Sequence, residues 1–281
     1  MDSIDENRLN IIMPFFSGTG NTEKIANIMK QKLTELNVNI ETYNITSYDT
    51  RLESIDVDKY DGVIFGFPIY SMRAPRVCRQ WIEKLDGRGK KCFVFFTYGG
   101  FGKQPAHYYI KKLLNEHDFK LLGTAEFLGA HTFNYGGWQA VESRPNQSDY
   151  TVAEDFCDII YNKLMSNNEC EVNQFDKPMF SEEQLDGFEK YRFKAVSQLP
   201  SREGESCSMC GLCEELCPTK AMDSVNGVAD KDKCILCLRC IANCPEQVLR
   251  INDLSKTWNV KLQMHNTTKE EIDSLESRIF V

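Results

Sequence analysis

Short apolar runs recur along the first 165 residues, and most are followed by a stretch with helical spacing. Leu9–Phe16 (LNIIMPFF) is apolar throughout, as a parallel strand buried on both faces requires. Thr22–Leu36 then sets Ile25, Ile28, Met29, Lys32 and Leu36 on one stripe at spacings of three and four, which predicts a helix. Val38–Ile45 alternates as a strand, Asp61–Phe67 is a further apolar run, and Lys91–Phe96 and Leu121–Leu128 read as the fourth and fifth strands. Helical patterns cover Pro75–Leu85, Pro105–His117 and Val152–Met165. Strands alternating with helices predict an α/β fold, a doubly wound five-stranded parallel sheet. Pro14 breaks a rule within it, because it removes a ladder donor. It is expected where the first strand is already ending or bulged.

The pattern changes after residue 165. SNNECEVNQFDKP is polar and reads as irregular chain. Ser181 and Gln184 form a capping box that opens a helix running to about Gln198, with Leu185, Phe188, Phe193 and Val196 as its apolar contacts. A further helix near the C-terminus is signalled by Thr268 and Glu271, with Ile272, Leu275 and Ile279 apolar, and is expected to dock on the main body. The expected organisation is an α/β domain over residues 1–165, a connecting segment over 166–200, a smaller α+β domain over 201–252 and a tail over 253–281.

The smaller domain is defined by its cysteines. It reads CSMCGLCEELCP and, 27 residues further on, CILCLRCIANCP, so C-x2-C-x2-C-x3-C-P occurs twice. Three thiolates at this spacing wrap one face of an iron–sulfur cube, and in this motif the fourth Cys of each run serves the other cluster. Cys207, Cys210, Cys213 and Cys244 are thus expected on one 4Fe–4S cluster. Cys234, Cys237, Cys240 and Cys217 are expected on the second. The competing readings are a zinc site or a disulfide framework, but zinc takes paired C-x2-C units rather than repeated triplets closed by Cys-Pro. The stretch resembles bacterial two-cluster ferredoxins over roughly residues 201–252. Cys78, Cys92, Cys157 and Cys170 stand singly and read as reduced thiols, so a reducing, cytoplasmic and oxygen-avoiding setting is expected.

The turn SGTGNT supplies the second chemical signal. It follows the first strand and opens a helix, where unpaired amides and the helix dipole favour an anion. It lacks the Lys of a P-loop and is no G-x-G-x-x-G, so neither ATP nor a dinucleotide is indicated. With the loops PIYSMRAP and TYGGFG it falls at the carboxyl ends of strands, where open α/β sheets bind ligands.

Residues 8–165 resemble the flavodoxin family, which implies FMN. By that resemblance Ser17, Gly18, Thr19, Gly20, Asn21 and Thr22 form the phosphate loop. Pro68, Ile69 and Tyr70 would cover one face of the flavin, and Thr97, Tyr98, Gly99, Gly100, Phe101 and Gly102 would bring backbone amides to the ring. Two features depart from a simple carrier. Arg73, Arg76 and Lys103 place basic charge near the expected ring. The segment HTFNYGGWQA, with His131, Tyr135 and Trp138, reads as a lid or partner surface.

The combined expectation is an electron-transfer flavoprotein that couples two 4Fe–4S clusters to FMN and interconverts one- and two-electron transfer. The alternative is a flavin reductase, fed by the clusters, that acts on a small organic substrate. A sensor role has no output module to support it. The net charge of −8, without a basic block, argues against a nucleic-acid partner, and no apolar run approaches the ~20 residues of a membrane span. The expected partners are redox proteins or a small-molecule acceptor. A homodimer is one arrangement in which flavin and cluster would meet.

Overall fold

The computed structural model describes residues 8–101, 104–166, 170–172, 175, 177–202 and 206–281. The strands β1 (Asn10–Phe15), β2 (Asn39–Asn44), β3 (Gly62–Pro68), β4 (Lys90–Tyr98) and β5 (Phe119–Leu128) are parallel and lie in the order β2-β1-β3-β4-β5. Strand order reverses between β1 and β3, and a ligand crevice opens at such a point. The helices α1 (Asn21–Glu35), α2 (Arg76–Ile82), α3 (Gln104–Glu116) and α4 (Gln147–Met165) cover the two faces.

Alternation along each strand divides the core in two, because successive side chains leave a strand on opposite sides. Ile12, Val63, Phe65, Val94 and Phe96 pack with Trp81 and Ile82 of α2 and Ile110 and Leu114 of α3. Ile11, Met13, Ile64, Phe93 and Phe95 pack with Ile25 and Met29 of α1 and Phe156 and Ile160 of α4. On α1 the buried stripe is Thr22, Ile25, Ala26, Met29 and Leu33, so the apolar face lies slightly round the helix from the expected one. Pro14 does sit inside β1, opposite Tyr43 of β2. The ladder from β1 to β3 pairs Ile11, Ile12 and Phe15 and skips Met13 and Pro14, which is the local interruption expected of a residue without an N–H.

The connecting segment holds α5 (Glu182–Gly187), a π-turn (Phe188–Arg192) and α6 (Phe193–Val196). The expected capping box is present: Ser181 Oγ accepts from the Gln184 amide and Gln184 Oε1 from the Ser181 amide. The expected helix is present and runs without a gap from Glu182 to Val196, with a π segment in its middle. Next come α7 (Leu212–Glu215), the hairpin of β6 (Met222–Asp223) and β7 (Val228–Ala229), and α8 (Arg239–Ala242). Ser201 and Arg250 exchange backbone hydrogen bonds of 3.0 and 2.9 Å, closing this small unit on itself.

The tail differs most from expectation. It forms α9 (Ser255–Met264), α10 (Lys269–Asp273) and β8 (Arg278–Phe280). The strand β8 adds to β5 in antiparallel register, with Ala125 opposite Ile279, and makes the sheet six-stranded. Ile279 therefore belongs to a strand and not to the predicted helix. Among the described residues no helix is long and apolar enough to cross a membrane.

Candidate redox site

The loop after β1 is held from below. The Ser17 amide donates to Thr46 Oγ1 (2.9 Å), and Ser17 Oγ accepts from the amides of Gly20 (3.1 Å) and Glu23 (3.2 Å). Thr22 and Thr97 share a hydroxyl hydrogen bond of 2.7 Å, which ties this loop to the one after β4. Asn21 Nδ2 donates to the Ala130 carbonyl, 3.0 Å away, and ties it to the loop after β5. Gly20 has φ +96°, and nothing lies within 4 Å of where a Cβ would stand. The loop thus leaves open space beside its amides, and an anion fits there.

A cavity of 680 Å³ opens beside this loop, within the size range of organic-ligand sites. Ser17, Gly18, Thr19, Asn21 and Thr22 line it at one end. Pro68, Ile69 and Tyr70 line it after β3, and Thr97, Tyr98, Gly99 and Phe101 after β4. The predicted loops are therefore brought together round one space, while Gly20 and Gly100 are not among its walls. Gly102 and Lys103 lie outside the described residues. After Tyr70 the chain turns back through Ser71 (φ +52°) and Met72 (φ +66°), and the turn is closed by hydrogen bonds between Tyr70 and Arg73. Two successive non-glycine residues in the left-handed region mark a strained tip at the cavity.

Several side chains around the cavity are engaged within the fold. The Tyr98 ring packs with Leu128, Val141 and Ile272 while the residue also lines the cavity. Arg73 is 2% exposed and pairs with Asp186 (2.5 Å) and Glu189 (3.6 Å), so its charge is consumed within the fold. The 131–140 segment is a clamped turn. Phe133 and Trp138 are buried against Leu236, Leu238, Leu254 and Trp258, and Trp138 Nε1 donates to Thr257 Oγ1 (2.8 Å). Burial and then the Lys261 charge push the His131 imidazole down to about 3, and its Nδ1 accepts from the Phe133 amide (3.0 Å). His131 is a neutral, satisfied side chain at neutral pH.

The cysteines fall into two groups. Cys207, Cys210, Cys213 and Cys244 line one small cavity. In the other group, burial and then Cys237, Cys234 and Cys217 together push the Cys240 thiol up. Among the described residues no three metal-ligating side chains converge on an ion-sized point. A cube of four irons takes one thiolate per iron and instead needs the sulfurs spread around it. The backbone repeats as the sequence does. Met209, Gly211 and Lys220 are left-handed, and so are Leu236, Leu238 and Gln247, each 27 residues on. Left-handed residues set at intervals turn successive amides into a concavity that suits an anionic centre. Amides of Met209, Leu236 and Ala221 point at the sulfurs of Cys207 (3.3 Å), Cys234 (3.4 Å) and Cys217 (3.2 Å). The residues present fit iron–sulfur ligation and, at the carboxyl ends of β1, β3 and β4, FMN.

The two sites abut, and nothing in the sequence signalled how. A Cβ on Gly18 would stand 3.1 Å from the Cys237 carbonyl oxygen and 2.5 Å from the Tyr70 hydroxyl. Arg239 Nη1 donates to the Ser17 carbonyl (3.0 Å), and Ile235 and Leu236 line the large cavity. Below this seam Arg51 is 6% exposed and donates to the carbonyls of Ile45, Thr46 and Ser47 at 2.6 to 2.9 Å. Its other nitrogen reaches the Pro218 carbonyl of the cluster region.

Comparison with known proteins agrees with this division. The flavodoxin domain family matches residues 12–134, and a 4Fe–4S binding domain family matches residues 228–249. An uncharacterized protein of Methanocaldococcus jannaschii, MJ0298, is 29% identical over 141 residues, 48% of this chain and 87% of that protein. An uncharacterized polyferredoxin-like protein of the same organism, MJ0934, is 41% identical over 49 residues, 17% of this chain and 22% of that one. A flavodoxin structure from the domain Archaea covers 56% of this chain and 100% of its own, with 16% identity and a TM-score of 0.44. The chain carries an N-terminal flavodoxin domain, which implies FMN, and a C-terminal 4Fe–4S binding domain, which implies an iron–sulfur cluster.

Proposed function

We propose that this chain moves electrons between two 4Fe–4S clusters and FMN, and that the cluster held by Cys234, Cys237, Cys240 and Cys217 is the one next to the flavin. The observation that carries the reading is the contact of the second cysteine loop with the phosphate loop, through Gly18 against Cys237 and Arg239 against Ser17. When bound, FMN takes up electrons singly or in pairs, whereas each cluster passes one. The chain's own residues hold the two sites in register. Arg51 and Arg239 cross the seam, Ile235 and Leu236 exclude water beside the cavity, and the Thr22–Thr97 pair fixes the two loops expected to flank phosphate and ring. The cysteines of the first group stand nearer solvent, with Cys210 exposed, which supports an entry point for electrons from a partner.

The test is anaerobic purification followed by cofactor analysis. Roughly eight irons and one FMN per chain are expected, with Cys217→Ala damaging the cluster of the second triplet rather than the first. A chain with iron but no flavin would remove the coupling, and loss of the first cluster in Cys217→Ala would overturn the crossed ligation. A second reading, reduction of a small organic acceptor at the flavin, is favoured by one observation: the cavity extends past the flavodoxin loops, under the tail helix.

A further inference from the structure

Much of the cavity wall does not come from the sheet loops. The helix α9 turns one stripe to it, formed by Lys256, Thr257, Val260, Lys261, Met264 and His265. The spacing of three and four along this stripe runs the length of the helix, so α9 roofs the cavity with a single face. Phe180, Lys194 and Val196 of the connecting segment add further wall. None of these residues falls within the span matched by the flavodoxin family.

The added wall has two properties. It is apolar and uncovered: Val260 is 53% exposed, Met264 65% and Val196 41%. Large apolar side chains left open on a concave surface mark a place where a ligand lies. It is also positive. Among the described lining residues there are three lysines, Lys194, Lys256 and Lys261, and one carboxylate, Glu189. Glu189 is taken up by Arg79 (3.1 Å) and by the Arg76 amide (2.9 Å). The two lining histidines do not alter the balance, since burial and then Lys261 push both His131 and His265 down towards the neutral form. Lys194 also donates to the Lys231 carbonyl and Lys261 lies over the Phe101 ring at 5.1 Å, which fixes where both cations sit. A chain of net charge −8 thus gathers positive charge at one concave site, which concentrates anions there.

The phosphate of FMN does not require these lysines. The loop after β1 meets an anion with amides, hydroxyls and a helix N-terminus. We propose that the space beneath α9 is a binding site for a second ligand, an organic carboxylate with an apolar body, whose body lies against Val260 and Met264 and whose carboxylate meets the lysines. The apolar body follows from the uncovered Val260, Met264 and Val196, and the negative head from the lysines on the wall. The inference rests on FMN occupying the cavity.

The experiment uses the full-length protein carrying FMN and clusters, oxidised and anaerobic, titrated with cinnamate and separately with cinnamamide. Binding is read from the perturbation of the visible flavin absorbance. Cinnamate is expected to give a saturable difference spectrum, and cinnamamide to bind at least tenfold more weakly. A Lys194→Met, Lys256→Met, Lys261→Met variant keeps the aliphatic stems, so it is expected to retain FMN while losing cinnamate affinity tenfold or more. Val260→Glu should abolish the response by placing a like charge on the wall. Equal binding of acid and amide, an unchanged affinity in the triple variant, or no saturable response would overturn the proposal. Loss of FMN but not of riboflavin from the triple variant would also overturn it, by giving the lysines to the cofactor's phosphate. A wild-type chain that takes up no flavin would instead break the functional reading beneath it.

Discussion

The sheet buries Ile12, Phe65, Phe93 and Phe127 with at most 1% of each exposed, and helices cover both its faces. The cluster region buries far less. Leu236, Cys237, Leu238, Val248 and Leu249 are its main interior residues from the second half of the motif, and its helices α7 and α8 are four residues each. One region positions its ligand site with a core that exists before any ligand arrives. The other holds Met209, Leu236, Leu238 and Gln247 in left-handed conformations around its cysteines, with little core to offset them. A small unit without a sufficient core needs a staple such as metal ligation. The largest expected effect follows directly. Removal of iron should free residues 206–250 to exchange their amide hydrogens at nearly unfolded rates, while the amides of β3 and β4 keep their protection. Uniform loss of protection in both regions would show that the sheet also depends on the clusters.

Core truncation should do the reverse. Phe65 packs in the α2–α3 layer at 0% exposure, with its ring edge-on to Phe119 at 5.4 Å. Phe65→Ala is expected to lower the stability of the sheet domain by about 3–5 kcal/mol through lost burial and a residual cavity. Denaturant unfolding followed by far-UV circular dichroism checks this. The iron content of the protein folded without denaturant should be unchanged, which separates the two regions a second time.

The seam between them is the next target. Arg51 satisfies three carbonyls of its own domain and one, that of Pro218, across the boundary. Arg51→Met removes the guanidinium from over the Phe16 ring and leaves three buried carbonyls and the half-buried Ser47 carbonyl without their donor, and about 2–3 kcal/mol is expected to be lost. The seam-specific readout is reduction of the flavin by dithionite-reduced clusters in stopped flow. That rate should fall while cluster absorbance stays at its wild-type value. A rate that does not change would show that the contact is structural and that electron passage does not depend on it.

The same contrast explains what could be read in the sequence. The inner parallel strands were legible because a strand buried on both faces has to be apolar along its length, as Gly62–Phe67 is, and β2, at the sheet's edge, was legible from its alternation. The expected cluster ligands could be named because ligand geometry requires their spacing, whatever the surrounding fold. The strand β8 was not legible: Arg278–Phe280 is three residues long and gains its partner only from β5. The helix α9 buries a single residue, Trp258, since its other face turns to the cavity, so no apolar stripe announced it. Arg73 read as charge near the flavin because sequence gives no sign of the Asp186 that neutralises it. Arg51 and Arg239 belong to the same class, because each reaches a carbonyl more than a hundred residues away.

The tail forms a third kind of region, and the smallest expected effect probes it. Thr268 Oγ1 accepts from the Glu271 amide (3.2 Å), and Glu271 Oε2 accepts from the Thr268 amide (3.0 Å). This box opens the five-residue α10, whose Ile272 is 5% exposed and packs with Tyr98, Leu128 and Val141. Helices this short have little stability of their own, so α10 depends on its cap, on that contact and on the hydrogen bond from the Val141 amide to Asp273 Oδ1 (3.1 Å). Thr268→Ala should weaken the tail by about 1 kcal/mol, seen as faster amide exchange in α10 with β1, β3 and β4 unchanged. Because β8 follows five residues after α10, its exchange reports whether the tail undocks as one unit. Faster exchange in α10 alone would mean that β8 is held by β5 without help. Faster exchange in both, with α9 unaffected, would place the boundary of the cooperative unit between the roof of the cavity and the strand that completes the sheet.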